Sequence, residues 1–116
     1  MKIETVYIQG LNKSITFWVG TSKEDNHRMI DAAESTDIWF HANNISSCHV
    51  ICKVPYDIDR NKVKYIIKMG SLLCKNNTNK LKSLSKVEFV YCHVKNVTKT
   101  DFVGCVNVTN GKYIII

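Results

Sequence analysis

Thr36-Asp-Ile-Trp-Phe-His-Ala-Asn-Asn-Ile-Ser-Ser-Cys-His-Val-Ile-Cys-Lys53 decides how the rest of the chain is read. Ile38 to His41 has the aromatic and β-branched character of a strand. Asn43 to Ser47 collects the small polar residues of a turn or tight loop. Cys48 to Val54 reads as a second strand, which Pro55 ends. Successive side chains of a strand point to opposite faces. Cys48, Val50, Cys52 and Val54 are therefore expected on one side, and His49, Ile51 and Lys53 on the other. Trp39 and His41 likewise share a face. Two aromatics and two histidines concentrated in so short a stretch belong at the centre of a small fold.

On the N-terminal side, Glu4 to Gln9 reads as a short strand, Gly10 to Lys13 as a turn, and Ser14 to Gly20 as a better strand with Ile15, Phe17 and Val19 on one face. Ser22 followed by Asp25 is a capping signature. It starts a short helix whose thin apolar side is Met29, Ile30 and Ala33. On the C-terminal side, Asp57 or Asp59 can cap a helix from about Arg60 to Cys74. Val63, Ile66, Ile67, Gly70, Leu73 and Cys74 form its apolar stripe, and Lys64, Lys68 and Lys75 form a basic ridge facing solvent. Lys75 to Lys86 is a polar, basic loop anchored by Leu81 and Leu84. Val87 to Val94 is a long strand. Val94 to Val97, Phe102 to Val108 and Tyr113 to Ile116 suggest a meander, with Asn110-Gly111 as a hairpin turn. Without repeat or linker, the 116 residues are expected to form one domain, 1–116. Its class is α+β, with a mainly antiparallel sheet and two helices.

Charge is uneven along the chain. Residues 1–58 carry five basic and seven acidic side chains, whereas residues 59–116 carry eleven basic and three acidic ones. A half of one sign is the footprint of a polyanion-binding protein. The five cysteines fall at 48, 52, 74, 92 and 105. No apolar leader follows Met1 and no stretch approaches a membrane span, so a cytoplasmic protein with reduced, mostly buried thiols and no membrane partner is expected. Five Asn-x-Ser/Thr triplets are then by-products of an Asn-rich composition.

Cys48, His49 and Cys52 invite a metal or nucleophile reading. Zinc needs three or four ligands converging on a point, and a strand turns His49 away from both cysteines. A covalent Cys–His dyad would need base, nucleophile and orienting group in reach, and no third member is apparent. No phosphate-cradling glycine motif occurs. A non-catalytic protein without cofactor is the expectation. Trp39 and His41 have two readings. Either they are core side chains, or their face borders a groove where Trp39 or His41 stacks on a base while His49 and Asn43 or Asn44 make polar contacts. Lys64, Lys68, Lys75, Lys80, Lys82, Lys86, Lys95 and Lys99 are the candidates for phosphate contact. Lysine in place of arginine favours backbone contact over base reading.

Asp37-Ile-Trp-Phe-His41, followed by Ser46-Ser-Cys-His-Val50, resembles the signature of the NFACT-R domain: Asp-x-Trp-Phe-His, a spacer, then Gly/Ser-Ser/Ala-His-Val. The strand ending at Gly20, Asn26 in the first helix, the helix through Met69 to Asn77, the Val87 to Tyr91 strand, the segment Val94 to Lys99 and Gly104 are similar to the family's other elements. Departures are His27 where the family often has Asp, Gly70-Ser71-Leu72 where it has alanines, and Cys48 in place of a small Ser or Ala. The resemblance implies RNA binding in a translation or ribosome-quality-control setting, with tRNA or ribosomal RNA as ligand and no catalysis. It leaves open a ribosomal particle as partner, DNA as ligand, and a protein-docking module without direct RNA recognition. Under this reading the contact residues are Lys64, Lys68, Lys75, Lys80, Lys82, Lys95 and Lys99, with Trp39, His41 and His49 shaping or lining the adjoining surface. Homo-oligomerisation is not specified.

Overall fold

Seven cross-strand partners, from Lys2 opposite Val19 to Ile8 opposite Lys13, zip β1 (Lys2–Ile8) to β2 (Lys13–Val19). Asn12 turns the hairpin at φ 54, a left-handed conformation that asparagine tolerates. The computed structural model describes residues 1–116. Next comes α1 (Lys23–Ala32), with the Ser22 side chain accepting from the Asp25 amide at 3.0 Å as its capping signature required. The opening stretch supplies β3 (Ile38–Ala42) and β4 (Val50–Cys52). Asp59 caps a single 3₁₀ turn that leads into α2 (Val63–Asn76). Then follow β5 (Glu88–His93), β6 (Val97–Lys99), β7 (Val106–Val108) and β8 (Lys112–Ile115).

Six strands form one sheet in the order β1-β2-β4-β3-β5-β8, and every pairing in it is antiparallel. β6 and β7 make a separate two-stranded ribbon. The class is α+β with two helices and a mainly antiparallel sheet, as read from the sequence. No helix is long and apolar enough to cross a membrane.

The period-2 pattern of the central strands gives the sheet two buried faces. Phe17, Ile38, Phe40, Val50, Cys52 and Phe89 lie on one, under Ile66, Ile67 and Cys74 of α2. Trp39, Ile51, Val90 and Cys92 lie on the other, under Met29 and Ile30 of α1 and against Val97, Val106 and Val108 of the ribbon. A helix can sit this low over Phe40 because residue 70 is glycine. A Cβ there would meet the Phe40 ring at 2.3 Å.

Two expectations at the C-terminal end are corrected. Val94–Asn96 is a 3₁₀ turn, not a strand. Asn110, at φ 55, does turn the chain, but the strands on either side of it do not pair. β7 joins β6 in the ribbon, whereas β8 crosses to the edge of the main sheet beside β5. Asn-Gly specifies a local reversal; which strand each arm then pairs with depends on the apolar faces available for it to cover.

Candidate functional site

Each residue of the Asp37-Ile-Trp-Phe-His41 motif has a physical task. The buried Asp37 carboxylate accepts from the Glu34 amide at 2.9 Å and the Val54 amide at 3.3 Å, and pairs with Lys53 Nζ. It therefore clamps the entry of β3 to the exit of β4. Lys53 also lies over the Trp18 ring at 4.5 Å. Trp39 is 2% exposed, and its indole Nε1 donates to His49 Nδ1 at 3.1 Å. His49, 1% exposed, has its other ring nitrogen against the Gly104 backbone. The Gly104 amide in turn donates to His27 Nε2 of α1 at 3.0 Å. A polar chain thus runs from the sheet through two histidines to the helix. Burial, reinforced by the neighbouring His41, pushes the His49 pKa down to about 3, so this imidazole is neutral and its tautomer is fixed by its partners.

His41 is the motif residue that reaches the surface. Half-buried, it stacks on Trp39 with the rings within 3° of parallel and stands edge-on to His49 at 5.0 Å between centroids. Its Nδ1 donates to the Ala42 carbonyl at 2.6 Å. Its pKa is lowered by desolvation, and the charge of Lys80 works in the same direction. His41 borders an open cleft of about 510 Å³. The floor is the sheet face carrying Val90, with Tyr113 beyond it on β8, 57% exposed. Asn43 and Asn44 form one wall and Asn107 of β7 another. Planar side chains, amides and a neutral imidazole around an open floor suit a flat, hydrogen-bonding ligand.

The candidate lysines do not form one surface. Lys64 and Lys68 lie on the outer side of α2, the layer opposite to Trp39, His41 and His49; the Lys64 ammonium stands 5.4 Å from the Tyr65 ring. The expected adjacency of ridge and histidine face is corrected: alternation along β3 sends Phe40 to α2 and both Trp39 and His41 away from it. Lys75, at the last turn of α2, reaches the Ile116 carbonyl at 3.4 Å. Lys95 follows the far end of β5, and Lys99 is paired with Asp31 at 2.6 Å. Lys80 and Lys82 ride on the loop after α2, which Leu81 and Thr78 pin down as buried anchors. The Lys80 charge acts on His41. Trp39 and His49 hold the His41 end of the sheet together from inside. Tyr113, Asn107 and Gly104 were missed as site residues, because only the folding of the ribbon and of β8 onto the same face brings them there. No group of three or more His, Cys, Asp or Glu side chains is placed to hold a metal ion.

Comparison with known proteins adds three findings. The family model described as the NFACT protein RNA binding domain matches residues 5–115. Coiled-coil domain-containing protein 25 of Danio rerio is 28% identical over 86 residues, which is 73% of this chain and 42% of that protein. The C-terminal part of the fibronectin/fibrinogen-binding protein of Streptococcus suis has the same fold, with a TM-score of 0.80 at 19% identity over 100% of this chain and 45% of that one. The chain spans less than half the length of either.

Proposed function

The chain belongs to the NFACT protein RNA-binding domain family, and from that premise we propose that it is a non-catalytic module binding tRNA or ribosomal RNA at the His41 end of the sheet. The observation that carries this reading is the open cleft beside His41, lined by Asn43, Asn44, Asn107 and Tyr113, with the positive charge of Lys80 acting on His41. Lys80 and Lys82 supply point charges for phosphates, which position a nucleic acid without reading its sequence. The cleft beside His41 has room for one unpaired base over Val90, with Tyr113 and His41 as ring surfaces. Structured RNAs offer such bases in loops and at ends, which is what favours tRNA or ribosomal RNA over duplex DNA.

A second reading, a protein-docking module, has its own observation. β1 is an edge strand of the sheet, with Ile3 60% exposed and Tyr7 also exposed on the same face. An unpaired edge with apolar side chains is a template for strand addition by a partner chain.

Binding of tRNA, single-stranded RNA and duplex DNA at about 50 and 200 mM salt separates these readings. Two phosphate contacts predict a loss of about 7- to 12-fold in tRNA affinity across that range. Lys80→Glu with Lys82→Glu should weaken binding at the lower salt by at least tenfold, and duplex DNA should bind more weakly than tRNA. RNA affinity indifferent to salt and to both substitutions would reject the first reading. Loss of ribosomal-particle co-sedimentation on Ile3→Glu with Tyr7→Glu, free RNA binding being negligible, would establish the second.

A further inference from the structure

Where β4 approaches the last turn of α2, two thiols lie against each other. Cys74 Sγ donates to the Cys48 carbonyl at 3.2 Å, and Cys48 Sγ lies 3.6 Å from the Cys74 carbonyl. Thr78 Oγ1 stands 3.5 Å from Cys48 Sγ, and Ser47 Oγ 3.5 Å from Cys74 Sγ. The pair is asymmetric in access. Cys74 is fully buried, whereas Cys48 is half-buried and lines a second cleft of about 440 Å³, together with Lys2, Asn26 and Asn77.

We propose that Cys48 and Cys74 form a reversible oxidation site, in which a hydroperoxide entering the second cleft converts the two thiols to a disulfide. Cys48, as thiolate, attacks the peroxide oxygen; the O–O bond breaks, Cys48 becomes a sulfenic acid, and hydroxide leaves, taking up a proton to form water. Cys74 sulfur then attacks the Cys48 sulfur, the S–O bond breaks, and its thiol proton leaves with the departing hydroxide as a second water. Two thiols and one hydrogen peroxide thus give one disulfide and two waters, and a dithiol reductant reverses the change.

Chemistry supports the roles. The adjoining Cys74 thiol, aided by the hydrogen bond from Thr78 against the opposing effect of burial, brings the Cys48 pKa down to about 7. The same contact and burial push Cys74 up. Burial also raises Cys92 to about 11 and holds Cys52 protonated. The attacking and resolving thiols are therefore distinguished by environment. The bond would tie α2 to the 43–49 loop. Asn43 and Asn44 of that loop wall the first cleft, and its Ser47 hydroxyl holds the Ala42 amide at 3.0 Å.

The test is to treat the reduced full chain with increasing hydrogen peroxide, alkylate the remaining thiols, and map peptides without reduction. A Cys48–Cys74 linked peptide should form first, at a rate about tenfold above oxidation of Cys92, and dithiothreitol should remove it. Cys105→Ser, which deletes the exposed thiol, should leave the linkage unchanged. Cys48→Ser should leave Cys74 reduced at the same dose, and Cys74→Ser should leave a Cys48 sulfenic acid that dimedone captures. Oxidation of Cys105 or Cys92 while Cys48 and Cys74 still alkylate fully would overturn the proposal in the unaltered chain, as would conversion of Cys48 to sulfinic acid without a linked peptide.

Discussion

His49 accepts the Trp39 indole proton at 3.1 Å and is sealed beneath the ribbon loop, so its protonation state is tied to folding. Its ordinary pKa of 6.5 falls to about 3 in the folded chain. The unfolded chain therefore binds the proton that the folded one refuses between these values, and stability rises with pH through that window. Stability contributed by the neutral ring is complete above about pH 6.5 and is lost on acidification, at about 1.4 kcal/mol per pH unit where the difference is one full proton. Urea midpoints at pH 7.5, 6 and 5 should fall in that order, and His49→Gln should flatten the trend below pH 6.5. A trend as steep in the variant would assign the acid sensitivity elsewhere. His41 is shifted in the same direction and adds to the slope that remains. His27 shows the same economy: as acceptor from the Gly104 amide it does what a carboxylate could do, which explains how it can stand where the family often has Asp.

α2 and the sheet meet through Phe40 and Gly70, and this contact sets how closely the helix approaches. The helix was legible because its apolar period was unbroken, and Gly70 fell inside the stripe. Why a glycine stood there was not legible, since Phe40 lies thirty residues earlier and only the packed layers bring its ring over residue 70. Gly70→Ala gains helix propensity but drives a methyl into a fully buried ring at 2.3 Å. Overpacking of this kind costs about 1–3 kcal/mol, against about 1 kcal/mol returned by propensity. The variant should be net destabilised, by up to about 2 kcal/mol in chemical denaturation, and Phe40→Leu in the same chain should recover part of the loss. Equal stability of Gly70→Ala and the parent would show that the helix rides higher than described. In the ribbon, Gly104 at φ +85 is the one glycine with a left-handed conformation. It lets the loop present an amide to His27 and its backbone to His49 at once.

Across the whole molecule, the basic half of the sequence is dispersed over different surfaces. Lys64 and Lys68 face out from α2, Lys99 is paired with Asp31, and Lys80 stands near His41. Electrostatic attraction is long-ranged, so all of them raise the encounter rate with a polyanion; a bound phosphate is held by those it touches. Lys64→Glu with Lys68→Glu is therefore expected to lower RNA affinity by only a few-fold, and mainly through association rate. Lys80→Glu with Lys82→Glu should act more strongly and speed dissociation. Stopped-flow binding of tRNA to both variants measures this, and the opposite ranking would move the interface to the α2 face.

By itself the sequence determined the class, the first two strands with the turn between them, the position of both helices with the Ser22 cap of α1, and which side chains of β3 and β4 share a face. These follow from local periodicity and capping chemistry, which act within a few residues. It also marked Asp37 to Lys53 as central. Tertiary structure alone decided that Trp39 and His49 are buried, that the α2 ridge lies behind the histidine face, and that β8 leaves its local partner to floor the cleft beside His41. Those outcomes depend on which apolar surface each distant segment covers, and that competition is settled only when all the layers pack together.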